Sequence, residues 1–135
     1  MRIILCLSLL FISYTSLAQQ KVRFFLRNGD LMENIEGYAM TFHSSLKGKV
    51  LGFTEGNFQN ETVLFYWTAA QDAYKCTLDP AGGSKTRKPF TCACQSEEEE
   101  GINKMTMKND NLLLVNCKSG NTYMITPEGE SLYVK

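Results

Sequence analysis

Apolar and polar residues alternate along most of this chain, which is the pattern of half-buried β-strands. The strand-like segments are separated about every ten residues by turn residues such as Asn28-Gly29, a pair that favours tight hairpins because both positions tolerate positive φ. Thr62–Thr68 is apolar on both faces, so we expect a central strand that is covered on both sides. The pattern predicts an all-β fold, either a small antiparallel barrel or a two-sheet sandwich of about 8–10 short strands.

Residues 1–18 have the three features of a secretory signal peptide. Arg2 supplies a positive charge, an apolar run follows to Ile12, and Ser16-Leu17-Ala18 places small residues where signal peptidase cleaves. The apolar run is too short for a membrane span, which needs about 20 residues. We therefore expect residues 19–135 to form a single domain that is secreted and has no membrane span.

Removal of the leader takes Cys6 and leaves four of the five cysteines, Cys76, Cys92, Cys94 and Cys117. An even number of cysteines in an exported chain predicts two disulfides. If Tyr74–Leu78 and Phe90–Gln95 form a hairpin, Cys76 lies opposite Cys92, and Cys94 is left for Cys117. The alternative pairs Cys76 with Cys94 and Cys92 with Cys117. We expect no metal, because zinc sites favour wider spacing between paired ligands.

Two charged segments are predicted to be loops on either side of Phe90–Gln95. Pro80–Pro89 contributes Lys85, Arg87 and Lys88, and Ser96–Gly101 contributes Glu97, Glu98, Glu99 and Glu100. Either loop is a candidate contact for a protein partner. The chain as a whole carries 14 Lys+Arg and 14 Asp+Glu, so it has no strong field to attract nucleic acid.

Candidate catalytic groups are scarce, so we predict a protein that is not an enzyme and needs no cofactor. His43 is the single histidine, and its place in an alternating strand predicts that it faces solvent. Ser44 and Ser45 are adjacent to it in sequence, but neighbouring residues of a strand or turn point apart and do not form a catalytic pair. Asn60-Glu61-Thr62 is a sequon that a eukaryotic secretory pathway would glycosylate at Asn60.

Several aromatic residues occupy alternating positions of predicted strands: Tyr38, Phe42, Phe65, Trp67 and Tyr123. Inside a small barrel they would line a cavity for a small apolar ligand. We therefore expect a secreted, non-enzymatic binding module for such a ligand or for an extracellular protein. The alternatives are an extracellular inhibitor or effector that acts through a charged loop, and a propeller-blade-like fragment that assembles with other blades, because Ile102–Val134 has the strand spacing of a blade.

Overall fold

The computed structural model describes residues 22–109 and 111–135, which form eleven β-strands in three antiparallel sheets. The strands are β1 (Phe24–Arg27), β2 (Asp30–Ile35), β3 (Tyr38–His43), β4 (Val50–Phe58), β5 (Glu61–Thr68), β6 (Ala73–Leu78), β7 (Ser84–Phe90), β8 (Ile102–Asn109), β9 (Leu112–Cys117), β10 (Thr122–Ile125) and β11 (Ser131–Tyr133). The predicted signal peptide, residues 1–18, lies outside the described residues. Within the described ranges, no helix is both long enough and apolar enough to cross a bilayer.

Neighbours in sequence are also neighbours in every sheet. The N-terminal sheet is β1-β2-β3, the central sheet is β4-β5-β6-β7, and the C-terminal sheet is β8-β9-β10-β11. The all-β prediction is confirmed. The barrel and the two-sheet sandwich are wrong, because none of the three described sheets closes on itself and their apolar faces are covered by stacking instead.

Tight turns join the paired strands. At the predicted hairpin between β1 and β2, Asn28 and Gly29 have φ of 52° and 83°. A Cβ on Gly29 would lie 2.6 Å from Cγ of Lys49, in the segment that leads into β4, so glycine also suits the close approach of that segment. The Asn28-Gly29 pair therefore determines both the hairpin turn and the close contact with Lys49.

The central sheet lies between the other two, and β5 shows this most clearly. Val63, Phe65 and Trp67 belong to the core shared with the C-terminal sheet, whereas Leu64 and Tyr66 belong to the core shared with the N-terminal sheet. All five are at most 5% exposed. The prediction of a central strand covered on both sides is confirmed.

Two glycines of β4 allow close packing, one against a side chain of the central sheet itself and one against the C-terminal sheet. A Cβ on Gly52 would lie 2.4 Å from the ring of Trp67, which covers it. A Cβ on Gly56 would lie 3.3 Å from Cβ of Met107 in β8. Beside this contact, the Met107 N–H donates a hydrogen bond to Oγ1 of Thr54 at 3.0 Å. The first strands of the two sheets therefore meet directly.

A bulge in β3 changes the orientation predicted for its last residues. Leu31 lies opposite His43 and Met32 lies opposite Thr41, so Phe42 is an extra residue between them. Phe42 and His43 are both buried, at 8% and 5% exposed. The prediction that His43 faces solvent is wrong, because the bulge turns two consecutive side chains towards the central sheet.

An ion pair attaches the N-terminal sheet to the turn between β6 and β7. The buried carboxylate of Glu33 accepts hydrogen bonds from Nε of Arg23 at 2.8 Å and from the Gly83 N–H at 2.9 Å. Nη2 of Arg23 in turn donates to the carbonyl oxygens of Asp79 and Gly83. Because the carboxylate is 2% exposed, these contacts replace its hydration shell.

Cys94 and Cys117 form a disulfide with a Cα–Cα distance of 4.9 Å, which confirms that predicted pair. The prediction of two disulfides is wrong, since Cys76 and Cys92 are unpaired. The physical reason is the register of the hairpin: Cys76 lies opposite Arg87 of β7. Cys92 comes after that strand has ended, beside a 3-10 turn.

Candidate functional site

The segment predicted to be a basic loop is mostly a strand. The turn after β6 is short, because the Asp79 N–H donates to the Gly83 carbonyl at 3.0 Å and the chain then pairs again from Ser84. Its basic residues therefore lie on β7, the edge strand of the central sheet. The prediction of a loop over Pro80–Pro89 is right for Pro80–Gly83 and wrong from Ser84 onward, because β-pairing to β6 outweighs the turn-forming composition there.

Strand alternation and a bulge determine the face of the central sheet on which each basic side chain lies. Lys88 lies opposite Lys75 of β6, on the side of the central sheet that faces the C-terminal sheet. Arg87 lies on the other side. The register shifts between Thr77 and Leu78 and leaves Lys85 unpaired, and its side chain lines the same groove as Lys88. A bulge redirects a side chain in this way because it adds one residue to one strand.

The resulting basic groove has a volume of about 290 Å³ and is lined by Glu61, Lys75, Thr77, Lys85, Thr86 and Lys88. The hydroxyls of Thr77 and Thr86 are 2.5 Å apart and share a hydrogen bond. Nζ of Lys75 lies 4.9 Å from the ring centroid of Phe58, so a cation–π contact holds this amine in place. The groove therefore combines three ammonium groups with two hydroxyl groups.

The charge of the basic groove is only partly balanced. Glu61 is the one carboxylate among its lining residues. In the part of the chain that the structure describes, the one ion pair within 4.0 Å is Arg23–Glu33, so none of the three lysines has a close carboxylate partner. A second groove of about 340 Å³ adjoins it and shares Glu61, Thr77 and Lys85 while adding the exposed Asn60. Together they form a continuous depression beside the sequon.

Arg87 has a different role from the lysines beside it. Its Nη2 donates to the Phe42 carbonyl at 2.8 Å, and its guanidinium lies 4.4 Å from the Phe42 ring centroid. These contacts link the edge of the central sheet to the N-terminal sheet. Arg87 is thus a structural contact, although solvent still reaches part of its side chain.

His43 belongs to a buried aromatic cluster between the same two sheets. Its Nδ1 is 3.0 Å from the hydroxyl of Tyr66, and Tyr66 stacks on Tyr74 at 5.0 Å between centroids. Burial lowers the pKa of His43 below its usual 6.5, and the positive charges of Arg87 and Lys47 lower it further. A neutral, enclosed imidazole fits a packing role. Its Nε2 is buried without a hydrogen-bond partner among the described residues.

The acidic segment is anchored by one of its four glutamates. Glu99 accepts hydrogen bonds from Ser119, Asn121 and Tyr123, and the hydrogen bond from Ser119 contributes most to lowering its pKa. The other three, Glu97, Glu98 and Glu100, are exposed around a single 3-10 turn. The segment is therefore a fixed acidic surface at one end of the C-terminal sheet.

The structure does not bring together the five aromatic residues predicted to line a cavity. Phe65 and Trp67 lie in the core shared with the C-terminal sheet, with Tyr123 packed against it. Phe42 lies in the other core, and Tyr38 is 73% exposed. The five side chains are therefore divided between two separate buried cores and the surface.

Another groove, larger than the two beside β7, lies at the seam between β4 and β8. It has a volume of about 580 Å³ and is lined by Glu55, Gly56, Asn57, Met107, Lys108 and Asn109. Partial burial raises the pKa of Glu55, and Arg23 opposes that shift. With one carboxylate and one ammonium group, this groove has no net preference for an anion or a cation. Within the described residues, His, Cys, Asp and Glu form no group of three or more that would hold a metal ion.

No family model matches this sequence, and comparison with curated proteins finds no significant match.

Proposed function

We propose that this chain is a secreted, non-enzymatic binding module that holds an acidic segment of an extracellular protein in the basic groove. The observation that carries the proposal is the convergence of Lys75, Lys85 and Lys88 on one groove without a close carboxylate partner. Carboxylates of a partner would meet these ammonium groups, and the hydroxyls of Thr77 and Thr86 can donate to the same anions.

Protection of the sheet edge explains only part of this arrangement. Lysines and prolines on an edge strand discourage pairing with another chain, which accounts for Lys88 and Pro89 on β7. Lys75 is on the inner strand β6, where no edge needs protection. Lys85 is directed into the groove by a bulge. Their placement supports binding over edge protection alone.

The disulfide supports the proposal that the protein is exported, because disulfides persist in oxidising compartments. Asn60 is exposed in the turn between β4 and β5, so it is an accessible acceptor where a eukaryotic pathway exports the chain. Cleavage after Ala18 is tested by N-terminal sequencing of the exported protein. The small apolar ligand is less well supported, because its predicted residues are split between two buried cores and the surface.

A peptide-binding experiment with matched charge reversals tests the basic groove. The probe is a fluorescein-labelled decapeptide of alternating glutamate and serine, and its anisotropy is followed as residues 19–135 are added. The Lys85→Glu/Lys88→Glu variant is expected to bind at least about tenfold more weakly, since two charge-assisted contacts of about 1 kcal/mol each are lost. The control, Lys108→Glu/Lys118→Glu, changes the net charge equally at exposed positions outside the groove.

The control decides how the result is interpreted. Retained binding by the control and weakened binding by the groove variant support the proposal. Equal weakening of both variants would show that the peptide responds to net charge alone, and the groove would then have no specific role. A shift of Trp67 emission on addition of palmitate, with no binding of the acidic peptide, would favour the apolar ligand instead.

A further inference from the structure

The last strand of the central sheet, β7, has a free edge. It pairs with β6 on one side, and no described segment pairs with its other side. Its residues from Lys85 to Pro89 are exposed, and within the described ranges they make no backbone–backbone hydrogen bond beyond the pairing with β6. Unpaired backbone groups along an exposed edge are a template for an added strand.

The register of the central sheet determines which backbone groups point towards β7. The Thr68 N–H donates to the Asp72 carbonyl at 2.9 Å, so every second pair of β5 with β6, counted from these two residues, is hydrogen-bonded. The β6 residues that alternate with them, such as Lys75 and Thr77, therefore direct their N–H and C=O groups towards β7. The position of Thr77 agrees with this, since its backbone nitrogen lies 3.4 Å from Oγ1 of Thr86.

The same alternation directs the backbone groups of Arg87 to the free edge. Thr86 and Lys88 lie opposite the β6 residues whose groups point towards β7, so their own groups point towards β6. The N–H and C=O of Arg87, which lies between them, and the C=O of Pro89 point the other way. Pro89 fits this position, because a strand tolerates proline where the missing N–H would face outwards. The free edge therefore offers the Arg87 N–H as a donor and the two carbonyls as acceptors.

The side chains beside the free edge favour an acidic strand. Lys85, Thr86 and Lys88 of β7 line the basic groove. Side chains directly opposite each other in an antiparallel pair share a face, so every second residue of an added strand would lie on the groove side. A second copy of β7 would bring like charges together, whereas carboxylates at alternate positions would meet the lysines of the groove.

We propose that the partner's acidic segment binds as a β-strand added antiparallel to β7, with alternate carboxylates over the basic groove. This inference rests on the proposed function and adds the conformation and the spacing of the bound segment. The residue opposite Arg87 accepts from its N–H and donates to its C=O, and the residue opposite Pro89 donates to the Pro89 carbonyl. The carboxylate opposite Lys88 belongs to a non-hydrogen-bonded pair, in which the two side chains lie closest together.

Spacing supports an extended segment over a helical one. Thr86 and Lys88 are successive groove-facing residues of β7, and an extended partner repeats their spacing of about 6.8 Å along the strand. A helix places residues two positions apart on different faces. A short extended segment with an acidic residue at every second position therefore matches both the backbone and the side chains of this edge.

Methylation of the peptide backbone tests the added strand without changing any charge. The probe is the fluorescein-labelled decapeptide of alternating glutamate and serine, and its anisotropy is followed as residues 19–135 are added. In the proposed strand the serine N–H groups face β7 and the glutamate N–H groups face away from it. Methylation of every serine nitrogen is expected to weaken binding at least about tenfold, because hydrogen bonds to Arg87 and Pro89 are lost. Methylation of every glutamate nitrogen, the matched control, is expected to preserve binding.

The outcomes separate this inference from the proposed function. Weaker binding of the serine-methylated peptide alone supports the added strand, and hydrogen exchange of the Arg87 amide, measured by NMR, should then slow when the unmethylated peptide binds. Equal binding of both methylated peptides, equal loss of both, or unchanged exchange at Arg87 would overturn the inference and leave the acidic segment bound through side chains. Weaker binding of the glutamate-methylated peptide alone would exclude antiparallel pairing. An unmethylated peptide that does not bind would contradict the proposed function itself.

Discussion

The buried carboxylate of Glu33 offers the most direct test of how the N-terminal sheet is held to the central sheet. Replacement with alanine removes the acceptor for Arg23 and for the Gly83 N–H and leaves both unpaired. Loss of one partner of a buried ion pair costs about 3–5 kcal/mol. The Arg23 side chain is 25% exposed, so water can solvate its charge, and we expect the lower end, about 3 kcal/mol.

A graded series separates the charge from the hydrogen bond. Glu33→Gln keeps an oxygen that can accept from Gly83 but loses the negative charge, so we expect a cost of about 1.5 kcal/mol. In a double-mutant cycle with Arg23→Met, we expect Glu33→Gln to cost less than it does in the wild type, because the two residues interact directly. Glu98→Ala, at an exposed glutamate, is the matched control and should be within about 0.5 kcal/mol of wild type.

Urea unfolding followed by two probes is the appropriate assay. With a slope of about 2 kcal/mol per M, Glu33→Ala should lower the midpoint by about 1.5 M. Trp67 is the one tryptophan and reports the core shared with the C-terminal sheet, whereas far-ultraviolet circular dichroism reports all sheets. A Glu33→Ala midpoint equal to that of wild type, or full additivity with Arg23→Met, would refute this reasoning.

Three further predictions concern single features of the fold. The free energy of unfolding should fall as the pH drops below about 6.5, because His43 then binds a proton in the unfolded chain, whereas burial lowers its pKa in the folded protein. Urea titrations at several pH values measure this dependence, and the His43→Asn variant should show a smaller one. Cys94→Ser should lower the free energy of unfolding by about 3 kcal/mol, because it removes the disulfide with Cys117. Cys92→Ser should leave that disulfide intact, which thiol labelling followed by mass spectrometry checks. Gly52→Ala should destabilise by about 1–3 kcal/mol and shift the emission of Trp67, because the new methyl group would collide with a buried ring; unchanged emission and melting temperature would contradict the packing described.

The basic groove shows which of its residues the alternation of apolar and polar positions can predict and which it cannot. The basic residues within Pro80–Pro89 are recognisable in the sequence, but composition indicated a loop where β7 forms. Lys75 was missed because it is ten residues away from Lys85 in sequence and joins the groove only through pairing of β6 with β7. When Ser84–Phe90 is a strand paired with β6, the side chains of Lys75 and Lys88 lie on the same face of the central sheet.

Local patterns in the sequence determined the strand content, the position of the Asn28-Gly29 turn and the burial of β5 on both faces, because each depends on neighbours within a few residues. The tertiary structure alone decided that the sheets stack in three layers, that His43 turns inward, and that Cys76 and Cys92 stay unpaired. These outcomes depend on register and bulges, and a shift of one residue in a strand moves every side chain to the opposite face. Alternation shows that a strand has two different faces, but only the packed sheets decide what covers each one.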